Sequence, residues 1–174
     1  MDYQKVILIN QQDQVLGEMD KLRAHQGNGA LHRAFTILVF NSQGQVLLQK
    51  RAASKFLWPL IWETSCSSHQ QLNEDDTIAA QKRLRLEMGI ECQLDYLTNF
   101  YYHAPWPQAN GAEHEICYIF VGHYDGLIKP NELEVADYQW LGAEELQEKI
   151  KNQPQDYAPW LVEALDIYKL TATE

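Results

Sequence analysis

Short apolar runs separated by polar residues dominate the first third of the chain. The runs from Val6 to Asn10 and from Val15 to Gly17 are typical of strands. Two longer runs follow, AFTILVFN and QVLLQKRA, and the polar residues Asn41 to Gly44 between them predict a turn. We therefore expect the two longer runs to form a β-hairpin.

The pattern becomes helical in the segment DDTIAAQKRLRLEMG. Ala80, Leu84 and Met88 recur at a spacing of four, which places them on one face of a helix. Acidic residues stand at the start of the segment and Gly89 at its end, as is typical of helix termini. The pattern predicts a helix of about three to four turns.

The rest of the chain contains two more strand-like segments and two helical ones. ECQLDYLTNFYYHA and HEICYIFVGHY are separated by a predicted loop from Pro105 to Gly111, and AEELQEKIKN and APWLVEALDIYKL follow. No repeat or linker divides the chain. Strands on both sides of a central helix, with helices at the end, predict one mixed α/β sandwich domain over residues 1–174.

Composition and charge narrow the class of protein. The 174 residues are 45% hydrophobic and 22% charged, as in an ordinary globular protein. The formal charge of -10 disfavours nucleic acid or an anionic membrane as a partner. The first apolar run is too short for a secretory signal or a membrane span, so we expect a cytoplasmic protein. Three cysteines without CxxC spacing argue against a disulfide framework.

Acidic residues and histidines are candidate metal ligands. Glu113 and Glu115 flank His114 in a strand-like segment, so the two carboxylates share a face. On this spacing alone, two solvent-exposed acids at the edge of a strand are more frequent than a metal site. None of the six histidines shows the HxxxH spacing of a helical metal site. If three of them met the two glutamates, the shell would suit Mn, Mg or Zn.

Basic residues are few but clustered. Lys50, Arg51 and Lys55 precede a tryptophan-rich stretch, and Arg83 and Glu87 are four apart on the predicted helix. A solvated turn and a helix salt bridge are the ordinary interpretation. The functional alternative is a cradle for a diphosphate.

Several motifs in order resemble those of the type I isopentenyl diphosphate isomerases, a branch of the Nudix superfamily. The resemblance covers nearly the whole chain and implies a Nudix-like α/β/α sandwich with a mixed β-sheet. It implies a monomer or homodimer that acts on a small prenyl diphosphate in isoprenoid biosynthesis. The segments that carry it are KLRAH, LHRAF, QKRAASKFLWPLIW, SCSSHQQL, QKRLRLEMGI, EHEICYIF, YQWL and YAPWLVEAL.

The resemblance also implies a set of site residues. A site for Mn2+, Zn2+ or Mg2+ is expected at five ligands, and Glu87 is expected to bind an Mg2+ ion that arrives with the substrate diphosphate. Basic residues are expected to hold the diphosphate. Of two tryptophans, Trp160 is expected to form a lid and Trp62 to line the pocket. The five ligands are His25, His32, His69, Glu113 and Glu115, the basic residues are Lys21, Arg51, Lys55 and Arg83, and the tryptophans are Trp62 and Trp160.

The implied reaction interconverts isopentenyl and dimethylallyl diphosphate by adding one proton and removing another. Glu115, assisted by Tyr102, is expected to handle the proton on one side of the substrate. On the other side the family uses a cysteine, and counting from Trp62 places Ser67 at that position, with Cys66 one residue early. If the segment is extended, Cys66 points away from the face that carries Ser67. A serine is a much weaker acid than a thiol, so we expect reduced activity.

Two other functions compete with the isomerase. A protein without turnover that binds metal and a prenyl diphosphate would also fit the Ser67 substitution. A Nudix hydrolase is disfavoured because two acids of the hydrolytic box are replaced by Arg83 and Leu86. Ser68, where glycine is usual, and Glu63, in a normally uncharged stretch, are further departures from the isomerase pattern.

Overall fold

The computed structural model describes residues 5–171, which form nine strands and four α-helices. The expected domain of residues 1–174 thus includes residues 1–4 and 172–174, which lie outside the described part. No helix within residues 5–171 is long and apolar enough to cross a membrane. The strands are β1 (Lys5–Ile9), β2 (Val15–Asp20), β3 (His32–Phe40), β4 (Val46–Arg51), β5 (Trp62–Glu63), β6 (Cys66–Ser68), β7 (Leu94–Trp106), β8 (Gly111–His123) and β9 (Val135–Leu141), and the helices are α1 (Lys21–Ala24), α2 (Asp76–Met88), α3 (Ala143–Asn152) and α4 (Pro159–Thr171).

Strand β3 lies at the centre of the mixed sheet. It runs parallel to β8, from the pair His32 and Glu115 to the pair Phe40 and His123. Strand β6 pairs with β3 in the antiparallel sense, and β7 and β8 form a long antiparallel hairpin. Strand β4 pairs with β9 and β5. Parallel and antiparallel pairs in one sheet confirm the predicted mixed topology.

Hydrophobic side chains pack on both faces of this sheet. Alternate residues of β3 enter different cores, with Ala34 and Leu38 on one face and Ile37 on the other. The first core includes Leu161 and other residues of α4, and the second includes Leu84 and other residues of α2. Helices on both faces confirm the α/β/α sandwich.

The helix predicted for DDTIAAQKRLRLEMG is confirmed as α2. The Asp75 side chain accepts a hydrogen bond from the Ile78 amide at 3.0 Å, as an N-cap does. Gly89 ends the helix at φ 68°, where a Cβ would lie 2.8 Å from the carbonyl oxygen of Lys129. Only glycine fits such a turn without displacing that backbone.

The predicted loop from Pro105 to Gly111 is too long. Cross-strand pairing continues from Pro105 with Ala112 to Trp106 with Gly111, so the turn is confined to residues 107–110. Pairing across a long hairpin overrides the local loop signal of proline and glycine. Strands β5, β6 and β9 were not predicted as strands, and the first two are only two and three residues long.

Candidate active site and metal centre

The register of three neighbouring strands places His32, Glu115 and Tyr102 side by side. His32 of β3 pairs with Glu115 of β8, and Glu115 pairs with Tyr102 of β7. The His32 Nε2 atom lies 3.2 Å from Glu115 Oε1, and the Tyr102 hydroxyl donates to Glu115 Oε2 at 2.5 Å. Residues that pair directly across a sheet share a face, so this arrangement follows from the strand pairing.

A backbone tie brings His25 to the same place. The Ala112 amide donates to the His25 carbonyl at 3.0 Å, which holds the segment after α1 against the start of β8. A Cβ on Gly111 would lie 2.7 Å from that carbonyl oxygen, so the close approach requires glycine. The tie leaves His25 Nε2 2.9 Å from Glu113 Oε2.

The third histidine, His69, directly follows β6. Its Nε2 atom lies 3.1 Å from His32 Nε2 and 3.2 Å from Glu115 Oε1. The five predicted ligands are all buried, and one donor atom from each lies within 4.8 Å of the others. The structure thus brings together side chains from α1–β3, β3, β6–α2 and β8: His25, His32, His69, Glu113 and Glu115.

The donor atoms of this cluster suit a divalent cation. His25 Nδ1 lies 2.6 Å from the carbonyl oxygen of Lys21, and His32 Nδ1 lies 2.7 Å from that of Ala30. Each carbonyl requires a proton on Nδ1, which leaves the Nε2 lone pair for a metal. In that tautomer His25 Nε2 and Glu113 Oε2 face each other as two acceptors, and this buried oxygen receives a hydrogen bond from His25 only when Nε2 is protonated. A cation between them satisfies both.

Protonation in the absence of a cation follows the same electrostatics. Burial alone lowers the pKa of His25, but the charge and hydrogen bond of Glu113 outweigh it and raise the pKa to about 9. Burial, and next the neighbouring His32, lower the pKa of His69. Burial opposes ionisation of Glu115, yet the hydrogen bond from His32 lowers its pKa. The Glu115 carboxylate is therefore ionised and attracts positive charge.

The cluster opens into a cavity of about 580 Å³. Tyr102, Ser67 and Trp160 line this cavity. So do all four basic residues expected to hold a diphosphate, namely Lys21, Arg51, Lys55 and Arg83. One cavity therefore combines a metal-binding cluster, aromatic rings and cationic side chains.

Three predicted site residues do not line this cavity. One of them, His32, is fully buried within the His/Glu cluster, and the other two are Glu87 and Trp62. Glu87 is buried behind it and accepts hydrogen bonds from Arg83 and, at 2.9 Å, from Gln49. Burial alone would raise the pKa of Glu87, but the guanidinium of Arg83 outweighs burial, and the net pKa is lowered. The Glu87 carboxylate is therefore ionised and forms an ion pair with Arg83. Trp62 packs against the core near α4, and the ammonium of Lys50 lies 5.6 Å from its ring centre.

Cys66 and Ser67 point to opposite faces of β6. Ser67 pairs with Thr36, and its hydroxyl lies 2.9 Å from those of both Thr36 and Thr64. Cys66 is fully buried in the core against α2, and burial and then Glu87 raise its thiol pKa well above the usual value. Of these two side chains, only Ser67 meets the cavity.

Four residues near the cavity were not predicted as parts of the site. Thr36 and Thr64 form hydrogen bonds with Ser67. Glu63 is buried and does not line the cavity, whereas Glu134 lines it and forms an ion pair with Lys55. Thr36 could have been identified as a candidate because it is the one polar residue in the apolar run AFTILVF. Glu63 could have been identified because its charge is unusual in an otherwise apolar stretch. The segment around Glu134 carried no recognisable motif.

Comparison with known proteins identifies relatives over most of the chain. The NUDIX domain model matches residues 30–161. An isopentenyl-diphosphate Delta-isomerase 2 of Aromatoleum aromaticum is 38% identical over 93% of this chain and 85% of its own length. An isomerase 2 of Photorhabdus laumondii is 39% identical over 89% and 86%. An isopentenyl-diphosphate Delta-isomerase of Escherichia coli is 36% identical over 93% and 90%.

Solved structures support the fold. DR0079 from Deinococcus radiodurans superposes with a TM-score of 0.69 at 22% identity, covering 85% of this chain and 89% of that one. A MutT protein from Methanosarcina mazei superposes with a TM-score of 0.67 at 14% identity, covering 83% and 96%. The TM-scores show a shared fold, and at such low identities they carry no conclusion about the reaction.

Proposed function

The chain belongs to the isopentenyl-diphosphate Delta-isomerases within the Nudix family, and from this premise we propose that it interconverts isopentenyl and dimethylallyl diphosphate. The observation that carries the proposal is one cavity lined by Glu115, Tyr102, Ser67 and Trp160 beside the His/Glu cluster. The reaction requires a group that donates one proton and a group that accepts another, protection of a carbocation from water, and a site for a diphosphate. The side chains around this cavity can supply all three.

The His/Glu cluster is the proposed site for Mn2+, Zn2+ or Mg2+, with three histidine nitrogens and two carboxylates as ligands. When bound, the ion supplies positive charge that neutralises the two buried glutamates and stabilises the site. The ligands suit these hard or borderline ions better than soft ones, because no thiolate lies in the cluster. We propose that a separate Mg2+ ion enters the site already bound to the diphosphate of the substrate.

Glu115 and Tyr102 are the proposed proton-transfer pair. Addition of a proton to the terminal methylene of isopentenyl diphosphate leaves a tertiary carbocation, and loss of a proton from the neighbouring methylene gives the dimethylallyl isomer. The Tyr102 hydroxyl holds Glu115 Oε2 at 2.5 Å, and burial, followed by the charge of Glu115, raises the pKa of Tyr102. Tyr102 therefore stays protonated and orients the carboxylate.

Aromatic rings provide the proposed protection of the carbocation. The ring of Trp160 lies 6.2 Å from that of Tyr102 and 5.3 Å from that of Trp58. Their π faces attract positive charge, and their apolar surface excludes water that would capture the cation. The proposed diphosphate contacts, Lys21, Arg51, Lys55 and Arg83, lie around the same cavity.

Incubation with isopentenyl diphosphate, Mg2+ and Mn2+ in deuterated water, followed by proton NMR, tests the proposal. Dimethylallyl product with deuterium incorporation is expected. Released phosphate would indicate a hydrolase instead, and the Arg83 and Glu87 ion pair on α2 argues against that activity. Binding without either product would support an inactive binding protein, the candidate favoured by the hydroxyl cluster around Ser67.

A further inference from the structure

Glu63 is a buried carboxylate on which three hydrogen-bond donors converge. Arg51 Nη1 donates to Oε1 at 2.8 Å, and Gln49 Nε2 donates to the same oxygen at 3.1 Å. The indole nitrogen of Trp160 donates to Oε2 at 3.0 Å. Only 1% of Glu63 is exposed, and it does not line the cavity, so it touches no substrate there. It acts through the side chains that it binds.

Two of these three partners do line the cavity. Arg51 is a proposed diphosphate contact, and Trp160 is the proposed cover over the reacting carbons. The two also touch each other, with the Arg51 guanidinium carbon 5.4 Å from the Trp160 ring centre. The cation–π contact stabilises this pair, but it does not fix how the indole is rotated within the plane of its ring. The hydrogen bond to Glu63 Oε2 supplies that constraint.

We propose that Glu63 is a positioning residue that fixes the indole of Trp160 over the reaction cavity and links it to Arg51. The proposal rests on the proposed isomerase function. The effect of Glu63 on the reaction passes through Trp160 and not through direct contact with the substrate.

The chemistry of the three donors requires a carboxylate. A carboxylate offers acceptors at both oxygens, whereas a glutamine offers one oxygen and one NH2 group. In Glu63→Gln the oxygen is expected to face Arg51 and Gln49, because one of these donors is charged. The NH2 group then meets the Trp160 indole N–H, and two donors repel each other. Arg51 stays in place, since its Nε also donates to the Trp58 carbonyl at 3.1 Å.

Glu63→Gln removes the acceptor of the Trp160 indole N–H together with the negative charge that faces Arg51. The isomerase assay separates the two effects, because only the first requires the indole N–H. We expect kcat to fall about tenfold, as for loss of one hydrogen bond to a charged group, with KM unchanged. In a Trp160→Phe background, which has no indole N–H, the same substitution is expected to have no further effect. Glu91→Gln is the matched control, because its side chain is 69% exposed and it makes the same change in charge.

An equal loss of kcat in both backgrounds would overturn the proposal, as would a rise in KM with unchanged kcat. A second measurement does not depend on turnover. The five tryptophans give five indole N–H signals in a ¹⁵N-labelled protein, and the one absent in Trp160→Phe belongs to Trp160. We expect Glu63→Gln to move that signal upfield and more than the other four. If it stays in place, Glu63 does not hold Trp160, whereas an inactive wild type would reject only the isomerase function.

Discussion

Replacing Ser67 by cysteine is expected to raise isomerase activity. Ser67 lines the cavity, and its hydroxyl is held by Thr36 and Thr64 at 2.9 Å each. An aliphatic hydroxyl is too weak an acid to form a useful base near neutral pH, whereas a free thiol titrates at about 8.5. The substitution changes one atom in place, so the carbon positions around the cavity are retained.

The expected gain and cost follow from these contacts. A well-placed acid or base contributes roughly 10²- to 10⁴-fold to a rate. We expect the low end, about 100-fold in kcat, because the side-chain partners of Ser67 within residues 5–171 are neutral hydroxyls. Sulfur forms weaker hydrogen bonds than oxygen, and each lost bond costs about 1 kcal/mol, so the free energy of unfolding should fall by roughly 2 kcal/mol.

The assay compares kcat of the wild type and of Ser67→Cys by proton NMR in deuterated water, with urea unfolding for stability. Cys66→Ala is the matched control, because Cys66 is fully buried in the core against α2 and should leave kcat unchanged. A folded Ser67→Cys protein with no gain would refute this role for position 67. Loss of a robust wild-type activity in Cys66→Ala would show that the thiol one residue earlier serves the reaction.

Three further predictions concern the ionisable groups around the cavity. His32→Ala removes a ligand, so calorimetry should show Mn2+ binding weakened by more than the roughly 10- to 100-fold typical of a residue that only supports a ligand. An unchanged affinity would exclude the cluster as the metal site. The pKa of metal-free His25 is raised to about 9, so a proton competes with the metal below that pH. Mn2+ affinity should therefore rise by up to about tenfold per pH unit from pH 7 to 9 and then level off. A flat pH profile of the affinity would contradict this. Glu87→Gln should lower the free energy of unfolding by about 3 kcal/mol in urea, with Mn2+ affinity unchanged, since buried Arg83 loses the nearer of two carboxylates and keeps Glu134 at 3.7 Å. Unchanged stability with weaker binding of magnesium pyrophosphate would instead support Glu87 as a magnesium ligand.

The amino-acid sequence by itself determined the features that depend on near neighbours in the chain. The spacing of Ala80, Leu84 and Met88, with Asp75 and Gly89 at the ends, was sufficient to predict α2. Strand alternation was likewise sufficient to expect Cys66 and Ser67 on opposite faces, as they are in the structure. The order of motifs was sufficient for the family, which the comparisons confirm. In each case the information lies within a few residues or in their linear order.

Only the tertiary structure decided which side chains meet. The five ligands come from four segments, and their convergence depends on the parallel register of β3 with β8 and on the backbone tie between His25 and Ala112. Burial in the folded chain likewise placed Glu87 behind the cavity and made Glu63 a link between Arg51 and Trp160. Long-range strand pairing and exclusion of water are properties of the assembled sheet, so no local pattern of residues records them.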